Sequence, residues 1–337
     1  MDKTQLGGTG IYASPLMIGC WSFGGGQGSY WGVQEQSDVD ALVGEALDIG
    51  VNFFDTAFGY NDGASEISLG KALAGRRGEA VICNKIQVQP REKLGSYRNM
   101  IEESLKRLGA DAIDLMMIHW PVADAALLRA NFEALLDVRE RGLVREIGVS
   151  NFALGALALA KECGVAVAAN EFAYSLMSRG IEREILPSCH ESGIGVLAYM
   201  PLMQGVLAGK YASVGEVPPM RRRTVHFSGA GNPESKHGLP GADLEAESLL
   251  AGLREVSRDA GIPCGRLAVA WLLQKPGVAS AIVGCRNAEQ LVENAQAAQT
   301  RLPPDVALAL DGISKPLMDK LGDHLDIWQP LESSRIW

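Results

Sequence analysis

The chain has 337 residues, with 31 Lys and Arg against 40 Asp and Glu, so its formal net charge is −9. Phosphate binding along a nucleic acid needs a basic face, so this balance argues against a nucleic-acid partner while leaving room for a local basic pocket. Hydrophobic residues at 47% and charged residues at 21% mark a globular rather than a disordered chain, and no apolar run reaches the length of a membrane span.

The first apolar run, 16–23, leads into a loop carrying Trp21, Tyr30, Trp31 and several glycines. A helix is predicted over 37–49, with Ser37 as its cap, Val39, Leu42, Val43, Ala46 and Leu47 on one stripe, and Gly50 as its stop. The second strand, 52–57, carries Asp55, and Tyr60 follows in the next turn. The third, 80–86, ends near Lys85 and precedes a helix over 91–108. The fourth, 112–120, finishes on His119 and Trp120, and a helix follows over 125–141. Strand 145–151 precedes helix 152–163, and strand 165–172 precedes helix 182–192. Strand 194–201 opens a long segment, 203–243, with little periodicity and with Arg221, Arg222 and Arg223 in a row. Helices over 245–260 and 266–274 lead to the last strand, 280–285, and to a helix over 288–299. There Asn287 is the cap, with Gln290 three residues on as a capping box. A tail, 321–337, carries Trp328, Arg335 and Trp337.

These strands are short and almost continuously apolar, the pattern of strands covered on both faces. Strands alternating with helices pair in parallel, and eight of them close a barrel. The expectation is an α/β fold, a (β/α)8 barrel forming a single domain over 1–337. An open doubly wound sheet is the alternative, and it usually announces itself by a glycine fingerprint after its first strand. Gly8-Thr9-Gly10-Ile11-Tyr12-Ala13 has the spacing but no strand before it, and the run Gly24 to Gly28 lacks the spacing. Gly205 to Lys210 is one residue short of a phosphate loop and is followed by Tyr211. The 203–243 segment sits on the face where barrels keep their chemistry, and reads as a lid or as a solvated excursion. The six scattered cysteines, with no Cys-x-x-Cys pair, read as reduced thiols of a cytoplasmic protein.

Asp55, Tyr60, Lys85 and His119 each have an ordinary reading as a turn cap, a loop tyrosine, an edge charge and a buried imidazole. On a barrel, the ends of neighbouring strands converge on one mouth, where these four form an acid–base set. A phenol with an ordinary pKa of ~10 is a weak proton donor. A nearby ammonium stabilises the phenolate, a carboxylate keeps the ammonium charged, and an imidazole orients the substrate oxygen. Such a set suits protonation of a carbonyl oxygen while hydride reaches its carbon.

The residues Phe54-Asp55-Thr56-Ala57-Phe58-Gly59-Tyr60, Ser65-Glu66, Leu69-Gly70-Lys71, His119-Trp120-Pro121, Ile147-Gly148-Val149-Ser150-Asn151, Ala198-Tyr199-Met200-Pro201-Leu202 and Gly284-Cys285-Arg286 through Asn294 resemble the aldo-keto reductase superfamily. The resemblance is to its bacterial inositol-catabolism and general-stress branch, near the potassium-channel β subunits. It implies NADPH or NADP+ bound extended, without a Rossmann domain, and no metal. It makes Tyr60 the general acid, with Lys85, Asp55 and His119 assisting. Cys20 and Trp21 would lie near the nicotinamide, Ser150 and Asn151 would hold its carboxamide, and Tyr199 would stack on it. Met200, Pro201, Leu202, Gly205, Leu207, Lys210 and Gly284 would line the rest of the cofactor. Arg286 would pair with a 2′-phosphate, and Gln290, Glu293 and Asn294 would reach the adenosine. Glu171 departs from the pattern, since the family usually has Gln there. An ionised carboxylate accepts from the carboxamide nitrogen but cannot donate to its oxygen, so Glu171→Gln is expected to tighten NADPH binding.

Trp21, Trp31 and Trp120 would wall the substrate, which points to a carbonyl compound of the sugar or inositol kind, such as a 6-aldehydo-hexose or keto-inositol. Oxidation of a sugar or polyol, and a cofactor-binding regulatory subunit, are the rival readings. A homo-oligomer stays open.

Overall fold

Eight apolar runs form strands that pair in parallel, each with the next: β1 (Leu16–Gly19), β2 (Phe53–Asp55), β3 (Val81–Ile86), β4 (Ile113–Ile118), β5 (Val144–Ser150), β6 (Val167–Ala173), β7 (Gly195–Tyr199) and β8 (Val278–Val283). In this computed structural model, which describes residues 1–337, β8 pairs with β1, Ala281 opposite Leu16, and the sheet closes as the expected barrel. The open-sheet alternative is thereby excluded.

Two cores explain why the strands read as continuous apolar runs. Met17, Phe53, Cys83, Leu115, Met117, Ala169, Leu197 and Ile282 point inward and pack together inside the barrel. Ile18, Phe54, Ile82, Met116, Val149, Phe172 and Val196 point outward, into the shell shared with the helices. Side chains alternate along a strand, so the next inward position after Phe53 is Asp55, after Cys83 Lys85, after Ala169 Glu171, and after Leu197 Tyr199. One step of the pleat converts an apolar interior into a polar mouth.

The helices are α1 (Gln36–Asp48), α2 (Ala64–Ala72), α3 (Tyr97–Leu108), α4 (Ala125–Glu140), α5 (Leu154–Glu162), α6 (Ile185–Glu191), α7 (Asp243–Ala260), α8 (Cys264–Leu273), α9 (Ala288–Gln299) and α10 (Pro304–Leu321). Three expectations need correction. Ser37 lies inside α1 and caps nothing, because Glu35 holds the cap position without a side-chain bond. The 91–108 helix is a 3₁₀ turn, Arg91–Ser96, followed by α3. Asn287 does cap α9 by accepting from the Gln290 N–H at 3.0 Å, but the Gln290 side chain accepts from the Arg286 N–H and not from that of Asn287.

Helix α2 packs so closely on α3 that it needs glycine. A Cβ on Gly70 would run into the Arg107 carbonyl oxygen and lie 2.9 Å from the Leu108 Cα, both backbone atoms that cannot swing aside. Gly70→Ala is therefore expected to destabilise the protein by about 1–3 kcal/mol through overpacking. A lower denaturant midpoint at unchanged m-value would show this, and an unchanged midpoint would refute the close approach.

The bottom of the barrel is closed by a two-stranded hairpin, Thr4–Gln5 with Tyr12–Ala13, which contains the Gly8–Ala13 motif. Its Leu6 and Ile11 join the interior cluster. The top is covered by the 203–243 segment and the tail. That segment is no solvated excursion, since Val214, Val217, Val225 and Phe227 are buried. The tail folds over its own barrel, with the Val225 N–H bonded to the Ile327 carbonyl at 2.9 Å. All six cysteines are free thiols, and no helix is long and apolar enough to cross a membrane.

Candidate active site

Lys85 is the centre of the mouth. Its ammonium contacts the Asp55 carboxylate directly and lies 3.3 Å from Glu171 Oε2, with the lysine side chain fully buried. Glu171 belongs to β6, three strands away from Lys85, so the contact crosses the barrel interior. Burial alone would lower the Lys85 pKa, but the Asp55 and Glu171 carboxylates outweigh it and hold it well above its ordinary value. Burial, reinforced by Asp55, pushes Glu171 up to about 8.

Tyr60 opens a 3₁₀ turn, Tyr60–Gly63, in which Asn61 and Asp62 adopt left-handed φ angles of 48° and 54°. Asn61 Nδ2 fixes that turn by donating to the carbonyls of Trp21 and Phe23, each at 2.9 Å. From the other side, Arg107 donates to buried Glu66 at 2.9 Å, and Glu66 accepts from Asn84, the residue before Lys85, at 2.7 Å. The turn and β3 are thus locked together. The Lys85 Nζ lies 5.3 Å from the Tyr60 ring centre, and His119 meets that ring edge-on at 5.8 Å. Burial raises the Tyr60 pKa, and Lys85 opposes the rise.

His119 is driven the other way. Burial first, then the charges of Lys85 and Arg335, lower its pKa to about 3, so the ring is neutral at neutral pH. Gln87 donates through Nε2 to His119 Nδ1 at 3.1 Å, which puts the ring proton on Nε2. A neutral imidazole with Nε2–H can donate a hydrogen bond to an oxygen at the mouth, but it holds no spare proton to give away.

Tyr199 donates to Asn151 Oδ1 at 2.9 Å, and Asn151 Nδ2 donates to Ser150 Oγ at 2.9 Å, so three strand-end residues form one fixed wall. All six non-glycine residues with positive φ, namely Asn61, Asp62, Asn151, Met200, Met203 and Gln204, lie around this mouth, as backbone strain at functional sites often does.

The mouth opens into a cavity of about 890 Å³. Lining it are Asp55, Tyr60 and His119, then Trp21, Trp31, Trp120, Ser150, Asn151, Glu171 and Tyr199, then Met200, Pro201, Leu202, Gly205 and Lys210, and at the far end Gly284, Arg286, Gln290, Glu293 and Asn294. Lys85 lies just beneath. Two sequence candidates do not reach the cavity: Cys20 and Leu207 are fully buried in the outer core. Their backbones stay near the cavity, but their side chains face packed helices.

The cavity is long and suits an extended ligand with an anionic middle. Lys210 forms no ion pair, and its Nζ packs so closely over Gly205 that an added Cβ there would meet it at 3.0 Å, so the glycine lets the ammonium lie against the loop backbone at the cavity wall. Arg286 is less free than its sequence position suggests. It donates to the Trp31 carbonyl at 2.6 Å and to that of Val33, tying the last strand–helix turn to the first loop.

Several lining residues escaped sequence reasoning. Arg223 lies between the rings of Tyr30 and Trp328, 4.2 and 5.4 Å from their centres, and Arg221 lies over Trp31 at 4.5 Å. The Tyr30 hydroxyl lies 2.6 Å from Gln204 Oε1 and 2.7 Å from the Met220 carbonyl oxygen and donates its one proton to either, joining loops 174 and 190 residues apart. From the tail, Arg335 stacks on Trp120 at 3.5 Å while gripping fully buried Asp326 with two hydrogen bonds of 2.8 Å. Trp21 stacks against Tyr30 at 5.2 Å and Tyr60 at 5.9 Å, so aromatic faces run from the candidate acid to the rim.

The aldo/keto reductase family model matches residues 15–315. The chain is 31% identical over 334 residues to the chloroplastic pyridoxal reductase of Arabidopsis thaliana, covering 93% of this chain and 86% of that one. It is 30% identical over 329 residues to the NADH-specific methylglyoxal reductase of Escherichia coli, covering 90% and 95%. The structure overlays on an aldo-keto reductase from Klebsiella pneumoniae, solved in complex with NADPH, with a TM-score of 0.70 at 25% identity over 93% of this chain and 95% of that one.

Proposed function

The chain belongs to the aldo/keto reductase family, and from that membership we propose that it reduces an aldehyde or ketone with NADPH, most directly one on a sugar or inositol skeleton, within the cytoplasm. The observation that carries this reading is the meeting of Asp55, Tyr60, Lys85 and His119 at one end of the long cavity.

The cavity residues divide along its length. Ser150, Asn151 and the Tyr199 ring would hold the nicotinamide end, and the Lys210 ammonium beside Gly205 would take the pyrophosphate. Arg286, Gln290, Glu293 and Asn294 would take the adenosine end, where Arg286 favours a 2′-phosphate. Held by those residues, the cofactor would supply the hydride for the carbonyl carbon. His119 Nε2–H donates to the carbonyl oxygen and fixes its direction. Tyr60 Oη then gives that oxygen its proton, since the neutral imidazole has none to spare. Lys85 stabilises the phenolate left behind, and Asp55 keeps Lys85 charged and in place. Trp21, Trp31 and Trp120 offer flat walls and Arg335 a fixed edge, a lining that suits the ring of a polyol.

A panel of sugar aldehydes and keto-inositols, assayed by loss of NADPH absorbance, tests the reading. Turnover of none of them, with tight NADPH binding, would overturn it. Glu171 adds a cofactor-side expectation. Protonated, it donates to the carboxamide oxygen, and ionised it cannot. The NADPH dissociation constant is expected to rise as pH rises through about 8, while Glu171→Gln holds tighter binding there. A fluorescence titration with unchanged or weaker binding in the variant at alkaline pH would refute this placement.

A further inference from the structure

Two carboxylates converge on one ammonium at the mouth. Asp55 reaches Lys85 from the neighbouring strand, and Glu171 reaches it from across the barrel at 3.3 Å. The ligand atoms of Asp55, Glu171 and Cys83 all lie within 4.8 Å of one another, and each residue is buried. This arrangement is not an empty cation site, because Lys85 Nζ already occupies the middle. Around Glu171 stand Asp55 from β2, Tyr60 from the turn after β2, Cys83 and Lys85 from β3, and Tyr199 from β7. Lys85 is the one cation in that set. With both carboxylates ionised the buried cluster carries a net charge of −1, which a water-poor interior disfavours. The group farther from the ammonium, Glu171, is the one that takes up a proton.

We propose that Glu171 is a positioning residue for proton transfer: acting through Lys85, it sets the strength of Tyr60 as a proton donor, so that carbonyl reduction runs on the protonated carboxyl and alcohol oxidation gains from the carboxylate. This rests on the reductase reading of the site. With Glu171 protonated, Lys85 has one counter-ion and its remaining field stabilises the phenolate that reduction leaves on Tyr60. With Glu171 ionised, the ammonium is shared by two anions, the phenolate is less stable, and Tyr60 becomes a poorer acid and a stronger base. The proton leaving Tyr60 Oη goes to the carbonyl oxygen. Glu171 gives up no proton in that step and acts by charge alone. The elevated pKa of Glu171, about 8, places the change in the weakly alkaline range.

The test is the pH profile of kcat/KM in both directions, for the parent enzyme, Glu171→Gln and Glu171→Asp. Reduction by the parent is expected to fall to a lower plateau as pH rises through about 8, with oxidation rising over the same range. Glu171→Gln should lack that step in both directions, and Glu171→Asp should restore it at a displaced pH. A merely structural role would scale all rates without moving the step, so an identical step in Glu171→Gln overturns the proposal. NADPH fluorescence verifies that each variant folds. In parallel, the infrared carbonyl band of a protonated carboxyl is followed in the parent minus Glu171→Gln difference spectrum. The band should be present at neutral pH and vanish above about 8, and its absence at neutral pH also overturns the proposal. A parent enzyme that reduces no carbonyl would instead sink the reductase reading, while the infrared measurement still decides the charge state of Glu171.

Discussion

Tyr60→Phe is expected to lower carbonyl reduction by about 10²–10⁴-fold, the usual contribution of a positioned general acid, while NADPH binds nearly as tightly as before. The substitution removes one oxygen and leaves the ring, so the stacking on Trp21 and the edge contact with His119 survive. No other group at the mouth replaces the lost proton. His119 is neutral with its single proton on Nε2, and the Lys85 ammonium is buried in contact with Asp55. Single-turnover rates with preloaded NADPH separate this loss from any change in binding. A variant that keeps its rate would remove Tyr60 from the acid role.

Lys85→Met is expected to damage both turnover and stability, and the second effect has a defined dependence on pH. Without the ammonium, Asp55 and Glu171 face each other as buried carboxylates with no counter-ion. Removing one partner of a buried ion pair costs about 3–5 kcal/mol when the other must stay charged. In the parent, burial and Asp55 raise the folded-state pKa of Glu171 from 4.5 to about 8, so its stabilising share is complete below 4.5 and is lost as pH rises through 8. The variant raises both carboxyl pKa values further. The two proteins should therefore approach each other in melting temperature below about pH 3, under the ordinary values of 3.8 for Asp55 and 4.5 for Glu171, where the carboxyls are protonated in folded and unfolded chains alike, and diverge as pH rises. Parallel melting curves across that range would show that Asp55 and Glu171 do not depend on Lys85 for their charge.

Local pattern made most of the barrel legible. Eight apolar runs became eight strands, and the polar residues closing several of them, Asp55, Glu171 and Tyr199 among them, line the mouth because the pleat repeats every two residues. Two helices broke the pattern. The buried face of α2 is Ser65, Glu66, Ser68 and Leu69, so it shows no apolar stripe. The polar face is explained by what it meets, since Glu66 holds Arg107 and Asn84. Helix α10 carries Pro316 inside it and an exposed Leu308, two signals that argue against a helix when read locally. In the site, the family pattern put Glu171 beside the nicotinamide carboxamide, but strand spacing cannot show that a β6 side chain reaches Lys85 across the barrel. The stacking of Arg223 and Arg335 on aromatic rings was equally hidden, because it joins the first loop, the loop after β4, the long loop and the tail over separations that no window spans.

The plug at the closed end bears on how the chain assembles during synthesis. Leu6 Cδ1 would lie 3.0 Å from a Cβ on Gly195, and a Cβ on Gly7 would meet the carbonyl oxygens of Ala168 and Gly193 at 2.6 and 2.7 Å. Residues 1–13 leave the ribosome before any strand of the barrel, yet the surfaces they touch here belong to the sixth and seventh strands. The hairpin is made before the strands it seals, so Leu6 and Ile11 wait for partners that are synthesised more than 150 residues later. The floor of the barrel is laid only after most of its walls are standing.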